Sequence, residues 1–427
     1  MTPRNIHRHT LANGLRLVTV PLHDTQAVTV FVFAKVGSRY ERRSLNGVSH
    51  FIEHLMFKGT RRRPNTLAIS KLLDGVGASY NAFTSKDWTG YYVKINHEHT
   101  DLALDILSDM LGHSKFDSQE LERERGVIIE EINMYDDNPL MSIEDLFEST
   151  VFGSVHPLGW NIAGPRHVIR RVSRASMIGY RDRYYHAENM WVVAAGQLPK
   201  NLDAMVNRHF RKFPRRPTTP HFRPYRIPAA TKTVRIKHKE LEQVQVGLGT
   251  RAYGYTDRRL PALNLLGVVL GGNMSSRLFI QVRERRGLAY SVHTSVNPYE
   301  DTGTFMIQAG LEKTKLDGAL TVMLEELKRI KQTKVGPAEL KRAKEFLRGK
   351  MILDLEDSDS LASWYGRQAL FHKKIEDPEE AMARIGRVTS KEIQALAKTL
   401  FRPSNMRLAV IGPFKQTAPL AKLIRRV

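Results

Sequence analysis

Residues 50–54 read His-Phe-Ile-Glu-His. Positions i and i+4 of a helix share a face, so His50 and His54 can present two imidazoles to one point. Glu53 lies one turn after His50 on the same side. A third donor, Glu131, stands 77 positions beyond His54 (131 − 54 = 77). Two imidazoles and a carboxylate form a ligand set that zinc accepts, and three protein ligands leave the fourth tetrahedral position for water. Glu53 is then the base placed to take a proton from that water. The surrounding stretch, GVSHFIEHLMFKGT, is apolar on either side of these groups. Burying two histidines and a glutamate there without partners would be costly, which favours a metal between them. Manganese or cobalt would fit the same donors.

These side chains need a frame. Strand patterns are expected at 16–21 and 27–36, followed by a helix at about 45–57 that carries the pentad. Two further paired strands are expected at 79–84 and 91–96. Asp117 and Glu120 form a capping-box pattern that opens a helix over 119–136. That helix holds both Glu124 and Glu131, seven residues apart and therefore on one face.

The chain repeats itself. Asn189-Met190-Trp191-Val192-Val193-Ala194-Ala195-Gly196 resembles Asn405-Met406-Arg407-Leu408-Ala409-Val410-Ile411-Gly412 at an offset of 216 (405 − 189). The same offset aligns Arg171-Val172-Ser173 with Arg387-Val388-Thr389, where Ser173 and Thr389 are expected helix caps. A proline-rich stretch at 213–230 separates the halves. The expected division is a metal-binding catalytic domain at 1–215, a linker at 216–230, and a homologous domain without metal at 231–427. The fold class is α+β: two similar α/β sandwich domains from an internal duplication, each with helices packed on one sheet face. The duplication is chemically lopsided. The counterpart of the metal helix, near 261–272, reads PALNLLGVVLGG, and that of the Glu124/Glu131 helix is basic at 341–350. One half can hold a metal; the other shapes a chamber for substrate.

At 427 residues, with 41% hydrophobic and 26% charged residues, the composition is that of a soluble globular protein of two or more domains. No apolar run is long enough to span a membrane. The opening residues MTPRNIHRHT do not read as a secretory signal, and the chain has no cysteine, so a cytoplasmic location is expected. The net charge of +22 is spread along both halves with no nucleic-acid-binding signature, so it reads as surface charge.

The pentad, in the inverted His-x-x-Glu-His order, resembles that of the pitrilysin, insulin-degrading enzyme and mitochondrial processing peptidase family of zinc metallopeptidases. The resemblance extends over most of the chain. It includes Asn13-Gly14-Leu15-Arg16, Gly37-Ser38-Arg39-Tyr40-Glu41, Leu55 to Thr60, Asn81-Ala82-Phe83-Thr84, Glu124 with Glu131, and Arg283 through Tyr290. It implies one Zn2+ per chain on His50, His54 and Glu131, with Glu53 as general base and Glu124 orienting a ligand imidazole. It further implies that Asn81, Ala82 and Phe83 offer an edge strand to substrate, and that Arg283 and Tyr290 help to hold it. The chain has the length of one half of a clam-shell peptidase. A partner is therefore implied, and a homodimer is favoured over a heterodimer with a related subunit because both the metal set and the Arg/Tyr pair are present.

The expected function is zinc-dependent hydrolysis of peptides or unfolded segments in an enclosed chamber. Two other classes compete: a non-catalytic assembly subunit, against which the intact pentad argues, and a basic nucleic-acid-associated protein.

Overall fold

A computed structural model describes residues 6–216, 221–226 and 232–427. The 216–230 linker therefore lies partly outside the described residues. Two compact units form. Of the described residues, the first comprises 6–132, 161–216, 221–223 and 352–377; the second comprises 133–160, 224–226, 232–351 and 378–427.

The first unit is built on a six-stranded sheet: β1 (His7–Thr10), β2 (Arg16–Pro21), β3 (Ala27–Ala34), β4 (Ser79–Thr84), β5 (Thr89–Asn96) and β6 (Met190–Gly196), in the order β1-β2-β6-β3-β5-β4. Strands β2 and β6 run parallel, and the other pairs are antiparallel. In β3, Val28, Val30 and Val32 join a core with the helices Val48–Met56 and Thr100–His113. Strand alternation sends Thr29, Phe31 and Phe33 to the other face. There the helix Ser358–Phe371 packs on the sheet: Ser358 hydrogen-bonds Thr29, and Gly366 lies against the Phe33 ring.

The second unit carries β7 (Val234–His238), β8 (Gln243–Ala252), β9 (Ala289–Pro298), β10 (Gly303–Glu312) and β11 (Arg407–Gly412), in the order β7-β11-β8-β10-β9. With β1 set aside, this order repeats the first unit strand for strand, including a parallel pair, β7 with β11. The two repeated sequence segments are β6 and β11, which confirms the duplication. One sheet face packs on Leu260–Gly271 and Leu316–Gln332. The other receives Pro139–Phe152, whose Ile143 and Phe147 meet Met306, Ala409 and Ile411.

Two features differ from the sequence expectation. Both faces of each sheet are covered. In addition, the units are not continuous stretches of chain: helix Pro139–Phe152 belongs with the sheet of the second half, and Ser358–Phe371 with that of the first. The two helices are separated by 219 positions (358 − 139), close to the repeat offset, so they are equivalent members of the duplication that have been exchanged. Each sheet face is satisfied by any helix with the right apolar stripe, and periodicity does not say whose it is.

Candidate metal centre

The helix Val48–Met56 is amphipathic. Val48, Phe51, Ile52, Leu55 and Met56 are buried in the core of the first unit, while His50, Glu53 and His54 line the opposite side. Its start depends on Gly47, whose φ of +99° is the left-handed region. A Cβ there would meet the Ala163 carbonyl oxygen at 2.5 Å. The first turn is completed by Glu41, a fully buried carboxylate. It accepts hydrogen bonds from the backbone N–H of Gly47 (2.8 Å) and Ser49 (2.8 Å) and from Asn46 Nδ2 (3.0 Å). Burial outweighs these donors and pushes the Glu41 carboxyl up to about 7.

Glu131 comes from the helix Ser118–Asp137, which opens as expected on Asp117: its Oδ1 accepts from the N–H of Gln119 and Glu120. Glu120 pairs with Arg123 and not back to the cap. The fold brings His50, His54 and Glu131 together as a group that could hold a metal ion. The Nε2 atoms of His50 and His54 are 3.2 Å apart, and they lie 3.6 and 3.5 Å from Glu131 Oε2. Donors about 2.05 Å from a tetrahedral zinc would be separated by about 3.3 Å, so these three atoms fit the ion. It is the only such group among the described residues.

His54 Nδ1 meets Glu124 Oε1 at 2.8 Å, which directs Nε2 toward the shared point. Lys58 Nζ holds the other Glu124 oxygen at 2.6 Å. Burial opposes ionisation of Glu124, yet His54 and Lys58 more than offset it and lower its pKa. Burial likewise opposes charge on His54, but Glu124 and the neighbouring carboxylates raise its pKa. His50 is pushed down to about 3 by burial and by His54, so its imidazole stays neutral and able to ligate. Burial raises Glu53 and Glu131. Glu53 also receives a 2.6 Å hydrogen bond from Thr84 Oγ1.

Asn81, Ala82 and Phe83 lie on β4, the outer strand of its sheet, in register with β5 (Asn81↔Tyr92). The Asn81 side chain accepts from the Ala82 N–H at 2.8 Å. Arg283 and Tyr290 belong to the second unit, where the guanidinium stands 5.9 Å from the Tyr290 ring centre and 4.8 Å from that of Phe279. Tyr290 is 77% exposed.

Sequence reasoning misses three polar contributors: Glu41, Lys58 and Thr84. All stand in segments that carry the family resemblance, but nothing in their spacing tells which backbone or side chain they meet. The Gly37–Glu41 segment also holds a fully buried ion pair, Arg39 with Asp87 at 3.3 Å. The Arg39 guanidinium stacks on Phe222 at 3.9 Å. No helix among the described residues is long and apolar enough to cross a membrane.

Known proteins resemble this chain over nearly its whole length. Residues 16–166 match the insulinase domain of peptidase family M16, and residues 171–347 match the M16 inactive domain. An uncharacterized zinc protease of Streptomyces coelicolor is 36% identical over 96% of this chain and 90% of its own length. One from Bacillus subtilis is 34% identical over 96% and 98%. Among solved structures, a Helicobacter pylori protease shares the fold with a TM-score of 0.90 at 23% identity, covering 96% of this chain and 100% of that one. A peptidase M16 inactive domain from Pseudomonas fluorescens gives 0.87 at 20% identity, covering 96% and 99%.

Proposed function

Since the chain belongs to the M16 (insulinase) peptidase family, we propose that it is a zinc-dependent endopeptidase acting on peptides or unfolded segments. The observation that carries this reading is the His50–His54–Glu131 donor triangle, with Glu53 in the same helix. Zinc, when bound, lowers the pKa of water and polarises the scissile carbonyl. His50 and His54 would ligate through Nε2, with Glu124 fixing the His54 tautomer, and Glu131 would supply the anionic ligand. Glu53 would accept the proton of the attacking water and deliver it to the leaving amine nitrogen. The outer edge of β4 at Asn81–Phe83 would pair with an extended peptide as an added strand, which favours unfolded substrates. We assign a substrate-holding role to Arg283 and Tyr290, supported by the exposure of Tyr290 and the arginine beside it. Two copies of the chain are proposed to enclose the peptide.

Peptide-library cleavage tests this. The wild type should cut, lose activity to a chelator and regain it with zinc. Glu53→Gln should keep zinc but lose about a thousandfold or more in rate. Undiminished cleavage by Glu53→Gln would refute the mechanism. A zinc-loaded wild type that cuts nothing would point to an assembly subunit. Sedimentation velocity should show a dimer; a fully active monomer would remove the enclosing pair.

A further inference from the structure

We infer that Thr84 is a positioning residue for Glu53, tying the base to the strand that aligns the peptide; this rests on the endopeptidase reading. Thr84 Oγ1 donates to Glu53 Oε2 at 2.6 Å, and the Glu53 carboxylate makes no other hydrogen bond among the described residues. One carboxylate oxygen is thereby held, and the other is left for a water proton. A hydrogen bond to an ionised carboxylate is about twice as strong as one between neutral groups.

The hydroxyl can hold Glu53 because its own backbone is fixed on two sides. Thr84 is the last residue of β4 and pairs with Thr89 of β5. The turn that follows closes with Ser85 N–H to the Trp88 carbonyl at 2.8 Å. That turn is bound in its own right: Ser38 and Arg39 donate their N–H groups to the carbonyls of Ser85 (3.2 Å) and Lys86 (2.9 Å). Gly37 is pressed so closely on these carbonyls that a Cβ would collide with them. Four residues after Gly37, Glu41 anchors the first turn of the helix that carries Glu53. A single buried segment, Gly37–Glu41, thus ties down both the turn behind Thr84 and the helix of Glu53. Threonine adds a stiff χ1, which limits where the hydroxyl can go. Base and peptide would share one strand as their reference.

Thr84→Val removes the hydroxyl, keeps the shape and suits a strand. Steady-state kinetics on a peptide cut by the wild type should show kcat reduced roughly 10- to 100-fold. KM and zinc content should stay near wild type. Thr84→Ser should restore most of kcat, a recovery that a purely packing role would not produce. Thr84→Ala serves the same purpose should the valine variant not fold. Normal kcat in the hydroxyl-free variants, with Glu53→Gln inactive, would overturn this inference alone. So would a rise in KM at unchanged kcat, which would make Thr84 a substrate-strand residue. Wild-type activity in Glu53→Gln would overturn the parent reading and this one with it.

Discussion

Glu41→Gln compared with wild type at several pH values tests whether a buried carboxylate governs the stability of the metal-bearing unit. Glu41 is fully buried and displaced from an ordinary 4.5 to about 7, chiefly by burial. The folded chain therefore holds this proton more tightly than the unfolded chain. The resulting stability is whole below about pH 4.5 and is lost as pH rises through about 7. At about 1.4 kcal/mol per pH unit, the full linkage is on the order of 3 kcal/mol. Between pH 5 and pH 8 about 2.5 kcal/mol of it should disappear. Glutamine does not titrate, and its amide facing three N–H donors adds an offset independent of pH. Taking the difference between the two proteins cancels the other titrating groups, His54 among them. Urea denaturation followed by tryptophan fluorescence is a suitable assay, because three of the four tryptophans, Trp88, Trp191 and Trp364, lie in the first unit. The advantage of wild type over Glu41→Gln should shrink by about 2.5 kcal/mol from pH 5 to pH 8. A difference that is constant with pH, or that grows, would refute the reasoning and mean that the N–H donors keep Glu41 ionised.

Other outcomes follow from the same contacts. His50→Ala, His54→Ala and Glu131→Gln should each lose zinc on dialysis, whereas Glu124→Gln should weaken affinity roughly 10- to 100-fold; metal analysis showing the reverse ranking would exchange the roles of the two glutamates. Asp87→Asn leaves the Arg39 charge buried and should cost about 3 to 5 kcal/mol in urea denaturation; a loss below about 1 kcal/mol would show that the pair is easily replaced. Gly366→Ala drives a methyl into the Phe33 ring and should destabilise the first unit by roughly 1 to 3 kcal/mol in thermal melts, and an unchanged melt would mean that helix Ser358–Phe371 can lift from the sheet.

Local chemistry was legible from the residues. The i, i+4 spacing of His50 and His54 placed both on one helix face whatever the fold. The strands expected at 16–21 and 79–84 coincide with β2 and β4 to the residue. The repeated segment at 189–196 and 405–412 announced a duplication that appears as one strand order in both sheets once β1 is set aside. Helix ends shifted slightly: the metal helix runs Val48–Met56 against an expected 45–57, because Gly47 and Glu41 start it later than the apolar pattern suggests.

Tertiary structure decided what depends on distance through space. Glu131 reaches the histidines only because two helices distant in sequence converge, and the 3.2 to 3.6 Å spacing of the donors is a product of that packing. Thr84 meets Glu53, and Lys58 meets Glu124, through side-chain directions that no periodicity encodes. The exchange of helices Pro139–Phe152 and Ser358–Phe371 is the clearest case. An apolar stripe states that a helix must be buried, but hydrophobic burial is non-directional and does not name the sheet that covers it.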